Sequence, residues 1–338
     1  MSTDPILAVT MGDPVGIGPE IVARTFATAA TDVPARGLVV GDPSVLRRAI
    51  EVCDLDLEVH GIDAIDEARF EAGTVDVLDT HTLEEELPWG KVDERAGRSA
   101  VAAIERATKA AMDGEVAAIV TGPINKEAIW AAGSEHLGHT EMLGALTGSS
   151  TPATMFVVRE LQIFFTTRHM ALRDAIDRIS RESVLEAIES SWEALQVYGY
   201  DEPRLAVAAL NPHGGEGGNF GTEEIEHIAP ACEDAREAGM PVVGPVPADS
   251  VFHQGLEGRF DGVLSHFHDQ GHIAAKTFDF ADTVSVTVGI PVVRTSVDHG
   301  TAFDIAGTGQ ASADTMIAAY RAGARFAPFA GRARERWG

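Results

Sequence analysis

At 338 residues, with 45% hydrophobic and 23% charged residues, the chain has ordinary globular composition and the length of about two domains. Its 52 acidic against 26 basic residues leave a net charge of −26, which argues against nucleic acid or an anionic membrane as a partner. No apolar run approaches the ~20 residues that cross a bilayer, and Met1-Ser2-Thr3-Asp4-Pro5 lacks the basic start of a signal peptide. Cys53 and Cys232 are isolated and far apart, so no disulfide framework or thiolate metal site is expected, and the location expected is a reducing cytoplasm. Only four lysines are present, Lys91, Lys109, Lys126 and Lys276. An acidic surface so poor in lysine suits a salt-rich cytoplasm, and stability and activity are expected to rise with salt.

In chain order, short apolar runs alternate with amphipathic stretches. Strands are expected at Ile6 to Met11, Leu38 to Val40, Val116 to Val120, Thr154 to Val158, Ile163 to Thr166, Leu205 to Leu210, Gly262 to Leu264 and Val284 to Val288. Helices are expected at Ala96 to Met112, Ser180 to Val197, Glu223 to Ala238 and Asp314 to Phe326. Such alternation predicts an α/β class with mainly parallel sheets, buried on both faces and covered by helices. There is no repeat, no low-complexity tract and no long linker.

In parallel α/β folds, chemistry collects in the turns after the strands. Gly12-Asp13-Pro14-Val15-Gly16-Ile17-Gly18-Pro19-Glu20 follows the first run. It has two glycines of a dinucleotide fingerprint, Gly16 and Gly18, but Ile21 stands where the third belongs. The turn reads either as a tight strand-to-helix connection with Pro19 at the first helical position, or as a backbone surface approached by a ligand. Three later turns carry histidines: His169 after Phe164-Phe165-Thr166-Thr167-Arg168, His213 in Asn211-Pro212-His213-Gly214-Gly215, and His268 in His266-Phe267-His268-Asp269-Gln270-Gly271. Three imidazoles at strand ends would suit a borderline divalent cation with open positions for substrate oxygens. Their distance in sequence leaves open whether they meet. Asp269 and Asp249 are available to accept the other ring N–H. In so acidic a chain, Lys276 and Arg294 stand out as partners for phosphate or carboxylate oxygens. His139 and Thr140 precede a helix, where backbone N–H groups attract anions.

On these stretches, together with Thr121 to Lys126, Gly138 to Glu141, Pro247-Ala248-Asp249 and Arg294 to Ala302, the chain resembles the 4-hydroxythreonine-4-phosphate dehydrogenase (PdxA) family over essentially its whole length. The resemblance implies an isocitrate/isopropylmalate-dehydrogenase-like fold of two interleaved α/β/α domains with the active site in the cleft between them. It also implies a homodimer, with the site at the dimer interface. The first domain is expected to take residues 1–127 and 280–338 with the cofactor loop. The second is expected to take residues 128–279 with the metal histidines and the dimer interface. Carried over by position, the metal ligands fall on His169, His213 and His268, and the substrate contacts on His139, Thr140, Lys276, Ser285 and Arg294. Lys276 and Asp249 are the expected catalytic groups. NAD or NADP is expected against Gly16 and Gly18 and the loop containing His299, Gly300, Thr301 and Asp304. The implied reaction is metal-dependent oxidation of a phosphorylated 3-hydroxy acid, with one divalent ion (Zn, Mg, Mn or Co), followed by decarboxylation of the 3-oxo acid. It would belong to pyridoxine biosynthesis.

Two positions depart from the family's pattern. Ser285 replaces a usual asparagine, losing a carboxamide's paired donor and acceptor. His272 replaces a usual apolar residue. Both bear on the substrate side, so D-threonate or D-erythronate 4-phosphate is the alternative substrate within the family. A metal-dependent lyase or hydrolase without nicotinamide, and a phosphate-binding or acyl-transfer protein of related fold, are the competing functions.

Overall fold

The computed structural model describes residues 4–28 and 32–338. The strands are β1 (Ile6–Thr10), β2 (Arg36–Gly41), β3 (Glu58–Ile62), β4 (Thr74–Asp79), β5 (Ala118–Thr121), β6 (Ala153–Val158), β7 (Leu161–Phe165), β8 (Leu205–Ala208), β9 (Val243–Val246), β10 (Gly262–Ser265), β11 (Thr283–Val288) and β12 (Arg294–Ser296). The helices are α1 (Gly18–Thr28), α2 (Pro43–Val52), α3 (Glu94–Asp113), α4 (Lys126–Ala131), α5 (His139–Thr147), α6 (Leu172–Asp177), α7 (Arg181–Val197), α8 (Ala229–Glu237), α9 (Ala248–Leu256), α10 (His268–Phe278), α11 (Asp314–Phe326) and α12 (Ala330–Trp337). None of the described helices is long and apolar enough to cross a membrane.

The chain divides into two compact units, Met1–Ala153 with Val284–Gly338, and Thr154–Thr283. The stretch 128–153, expected in the second domain, groups with the first. The physical reason is that Ile129, Met142 and Leu143 pack into the same core as Ile104 and Ala107 of α3. Gly97 of α3 allows this crossing, because a Cβ there would lie 2.0 Å from the Ala128 carbonyl oxygen.

In the first unit the strands run in the order β3-β4-β2-β1-β5-β12-β11, parallel except for β11 against β12. Successive side chains face opposite ways. Ala8 and Ile119 join the core with α3, whereas Leu7 and Val120 lie under Gly323 of α11. Both faces are therefore buried, which explains the non-alternating apolar runs, and each buried Val or Leu side chain contributes roughly 2 kcal/mol.

In the second unit the order is β6-β7-β10-β8-β9, parallel except for the β6–β7 hairpin. Ile163 and Val263 pack with Val251 and Phe252 of α9 and Ala275 of α10. On the other face, Phe164 and Leu205 meet Leu195 of α7 around Gly262.

Strands β3, β4, β9 and β12 are absent from the runs expected from sequence. β3 is a half-exposed edge strand with polar alternation, β9 is an edge strand that contains Pro245, and β12 is three residues long. The run expected to reach Leu210 ends at Ala208. There the backbone turns toward the Glu224 carboxylate, which accepts from Leu210 N (2.8 Å) and Asn211 N (2.6 Å). The free cysteines Cys53 and Cys232 are both buried.

Candidate functional site

Because β7, β10 and β8 are adjacent and parallel, their C-terminal ends share one edge. The turns bearing His169, His268 and His213 leave from that edge. They are braced by two residues that the sequence did not single out. The buried His266 ring bonds the Ala208 carbonyl (2.7 Å) and the Thr166 hydroxyl (3.2 Å). Gln270 accepts from His266 N (2.7 Å) and donates to the Ala209 carbonyl (2.8 Å). Burial pushes the His266 pKa down to about 4, so it is a neutral structural strut at neutral pH.

His169 and His268 are brought together, with ring centroids 5.8 Å apart. Both line a cavity of about 230 Å³ that also contains Arg168, Phe267 and Asp269. Two imidazoles sharing one ion at ~2.1 Å with a near-tetrahedral angle place their ring centres about 5–6 Å apart, so this pair fits a divalent cation. His268 Nδ1 contacts Asp269 Oδ1 at 2.7 Å. A carboxylate only accepts, so Nδ1 carries the proton and Nε2 is left as the donor toward a metal.

His213 is not brought into this pair. Among the described residues, no group of three or more His, Cys, Asp or Glu side chains is assembled to hold a metal. His213 lies exposed in a left-handed turn, His213 to Gly217, in which its own φ is +54° and that of Glu216 is +45°. Non-glycine residues pay roughly 1–2 kcal/mol for that conformation. Asn211 at the base of the turn is tied to Glu223 (2.7 Å) and Glu224 (2.9 Å).

Lys276 sits half-buried in the last turn of α10, two turns beyond His268, its Nζ 5.5 Å from the Phe280 ring centre. Asp249 is exposed in the first turn of α9.

The expected anion-binding residues lie in the first unit. Arg294 is 4% exposed. Its Nε and Nη2 donate to Thr121 Oγ1 (3.0 and 2.7 Å), and Nη1 donates to Thr287 Oγ1 (3.1 Å). Burial pushes its pKa down to about 9, partly opposed by the Glu141 charge. His139 starts α5, and its Nε2 is cut off from solvent without a hydrogen-bond partner. Burial, with the Arg294 charge adding to it, holds the His139 pKa well below the usual histidine range. A buried cation and an orphaned imidazole nitrogen at a helix N-terminus suit a phosphate, which would supply the missing negative charge and acceptors. Thr140 follows in the same turn, and Ser285 is buried on β11 opposite Ser296.

The expected cofactor segments touch each other. Ile17 N donates to the Thr301 carbonyl (3.0 Å). A Cβ on Gly16 would meet Thr301 Cβ at 2.9 Å, and one on Gly18 would lie 2.0 Å from the Met11 carbonyl oxygen. The two glycines thus have a chain-packing reason. Buried Glu20 accepts from Gly307 N (2.6 Å) and Gly309 N (2.9 Å), docking the loop onto α1. His299 Nε2 bonds the Thr315 hydroxyl (2.8 Å), while Gly300 and Asp304 are exposed. A cleft of about 600 Å³ opens beside Pro14 and Val15, bounded by Asp42, Arg48 and Leu87. Asp13 is fully buried, with Oδ1 accepting from Val15 N (3.0 Å) and Oδ2 unpartnered. Burial raises its pKa to about 6, opposed by the Val15 N–H and reinforced by Asp93.

The architecture is that of the isocitrate/isopropylmalate-dehydrogenase-like enzymes, an α/β class of dehydrogenases. Residues 34–323 match the family described as pyridoxal phosphate biosynthetic protein PdxA, and the chain belongs to that family. It is 52% identical, over 100% of this chain and 98% of the relative, to a protein of Cutibacterium acnes named "Putative D-threonate 4-phosphate dehydrogenase". A protein of the same name from Symbiobacterium thermophilum is 49% identical over 97% of this chain and 98% of its own length. Among solved structures, a 4-hydroxythreonine-4-phosphate dehydrogenase of Klebsiella pneumoniae is 41% identical, covering 96% of this chain and 99% of that one, with a TM-score of 0.90. The chain is therefore a dehydrogenase, and membership of the family brings a nicotinamide cofactor and a metal ion with it.

Proposed function

We propose that this enzyme oxidises D-threonate 4-phosphate, or its close relative D-erythronate 4-phosphate, at C3 with NAD and a divalent cation, and releases CO₂. The observation that carries the choice of substrate is the full-length 52% identity to the Cutibacterium acnes protein of that name, against 41% to the 4-hydroxythreonine-4-phosphate enzyme. Ser285 in place of the asparagine usual in the family supports a change on the substrate side. The same reaction on 4-hydroxy-L-threonine 4-phosphate is the second reading, favoured by the closeness of fold to the Klebsiella pneumoniae enzyme.

Arg294 and His139 hold the phosphate, which fixes the distance from phosphate to the reacting carbon. Thr140 adds a hydroxyl to that grip. When bound, the cation lowers the pKa of the substrate hydroxyl and offsets the negative charge that forms as CO₂ leaves. His169 and His268 present their imidazoles to it. With the cofactor bound, its nicotinamide would take the C3 hydride, while the C3 hydroxyl proton would go to a base. The C1–C2 bond of the 3-oxo acid then breaks, and C2 takes up a proton. Lys276 and Asp249 are the proposed proton carriers. What remains is a phosphorylated three-carbon hydroxyketone.

The cation is of the class that imidazole nitrogens favour, Zn²⁺ or Co²⁺ before Mg²⁺ or Mn²⁺. NAD is proposed over NADP, since Gly16, Gly18, His299, Gly300, Thr301 and Asp304, the residues proposed to face the cofactor, include no arginine or lysine for a 2′-phosphate. The functional form is a homodimer, in which exposed apolar side chains beside the histidines, Met170, Leu172 and Ile273, become covered and the His213 turn completes the metal ligands. Nicotinamide reduction measured against D-threonate, D-erythronate and 4-hydroxy-L-threonine 4-phosphates tests this reading. The highest kcat/KM is expected for one of the first two, and a preference for the third would overturn the substrate assignment.

A further inference from the structure

The ring of His268 is stacked face to face on the ring of His272, with centroids 3.7 Å apart and planes 11° from parallel. That separation is van der Waals contact, so turning the His268 ring about its Cβ–Cγ bond would drive it into its neighbour. The other constraint on His268 is its bond to Asp269 Oδ1, an acceptor on a 70% exposed side chain that can swing with the ring. A single bond to an exposed side chain sets which nitrogen carries the proton but constrains the ring plane only weakly.

His272 itself is fixed from several sides. It is 7% exposed. Its Nδ1 lies 2.8 Å from the His268 carbonyl oxygen, one helical turn earlier. Its ring stands edge-on to Phe156 at 4.3 Å and tilted on Phe165 at 4.9 Å. Phe156 belongs to the core of the second unit, and Phe165 packs against that core. A continuous line of ring contacts thus runs from that core to His268. An aliphatic side chain at position 272 would fill the space without presenting a flat face.

We propose that His272 is a positioning residue, whose ring holds the plane of His268 and so aims His268 Nε2 at the divalent cation. The proposal rests on the assignment of His268 as a metal-binding residue. Holding the ring before the cation arrives removes the freedom it would otherwise lose on binding, and disturbing such a support behind a metal-binding histidine costs about 10- to 100-fold in metal affinity.

The test is a Co²⁺ titration of metal-stripped full-length enzyme, read by visible d–d absorption, on the parent, His272→Gln, His272→Phe and His268→Ala. The glutamine keeps an N–H donor but no ring, and the phenylalanine keeps a ring but no donor. The glutamine variant is expected to bind Co²⁺ about tenfold more weakly, with an altered band envelope, at an unchanged circular dichroism spectrum. The phenylalanine variant is expected to restore the parent's affinity to within about threefold and to restore its spectrum. Parental affinity in the glutamine variant, or equal losses in both position-272 variants, overturns the positioning role. Parental affinity in His268→Ala overturns the underlying metal assignment instead, so the two failures are told apart.

Discussion

Arg294 directs two of its guanidinium N–H groups at one oxygen, the Oγ1 of Thr121, which passes its own proton on to Ser296 Oγ at 2.9 Å. A fork built to grip two oxygens is spent on a neutral hydroxyl, and its charge stays buried. Removing that charge while keeping its bulk should therefore not unfold the protein. Arg294→Met is expected to melt at the same temperature as the parent or a few degrees higher. Inorganic phosphate should raise the parent's melting temperature and leave the variant's unmoved, and kcat/KM for the phosphorylated substrate should fall by about a hundredfold or more, the worth of two charge-assisted bonds. Scanning fluorimetry with and without phosphate checks the first part, and steady-state kinetics the second.

Glu20 anchors the loop proposed to hold the cofactor. Replacing Glu20 by alanine leaves the half-buried N–H groups of Gly307 and Gly309 without their carboxylate acceptor, at a cost on the order of 2 kcal/mol. Urea unfolding of Glu20→Ala should show that loss, and KM for NAD should rise more than KM for the phosphorylated acid. Equal rises in the two would detach the loop from cofactor binding.

Asp13 makes a pH prediction of definite sign. Its folded pKa of about 6 lies above the ordinary 3.8, so the folded state holds the proton more tightly than the unfolded state does. Stability from this group is complete below pH 3.8 and is lost as pH rises through 6, in all about 3 kcal/mol. Asp13→Asn lacks this titration. The stability difference between the two proteins, measured by urea unfolding from pH 4 to pH 7.5, should shift by about 2 kcal/mol in favour of the variant as pH rises. A difference that is flat with pH would remove the buried carboxyl from the account.

His213 carries backbone strain that glycine would not. His213→Gly is expected to be about 1 kcal/mol more stable by denaturant unfolding, and inactive. Reduced stability in that variant would show that the imidazole braces its turn.

The net charge of −26 predicts salt dependence. Unfolding midpoints and turnover should both rise from dilute buffer to molar KCl as counterions screen the repulsion among carboxylates. Coincident unfolding curves at low and high KCl would remove the halophilic reading of the surface.

Much of the fold was legible because buried parallel strands announce themselves as apolar runs, and the turns after them carried the unusual residues. The pairing of His169 with His268 follows from that, since β7 and β10 are neighbours. His213 stayed apart because its turn is left-handed, a conformation that glycine content permits but does not aim. The bracing by His266 and Gln270, the capping by Glu20 and the stack under His268 were not legible. Each depends on a distance between groups whose roles in sequence look ordinary. A histidine in an apolar position read as a departure from a pattern, and only its neighbours show it as a support.

The arrangement of the two units has a consequence for how the enzyme is made. Strand β12, which carries Arg294, pairs with β5 only after all of residues 154–283 have been synthesised. A growing chain leaves the ribosome from its N-terminus, so the histidine-bearing unit can close around its own core while the first sheet still lacks its last strands. Arg294, proposed to hold the phosphate, is thus translated after His169, His213 and His268, and a nascent chain acquires its proposed metal-facing residues before that grip is complete.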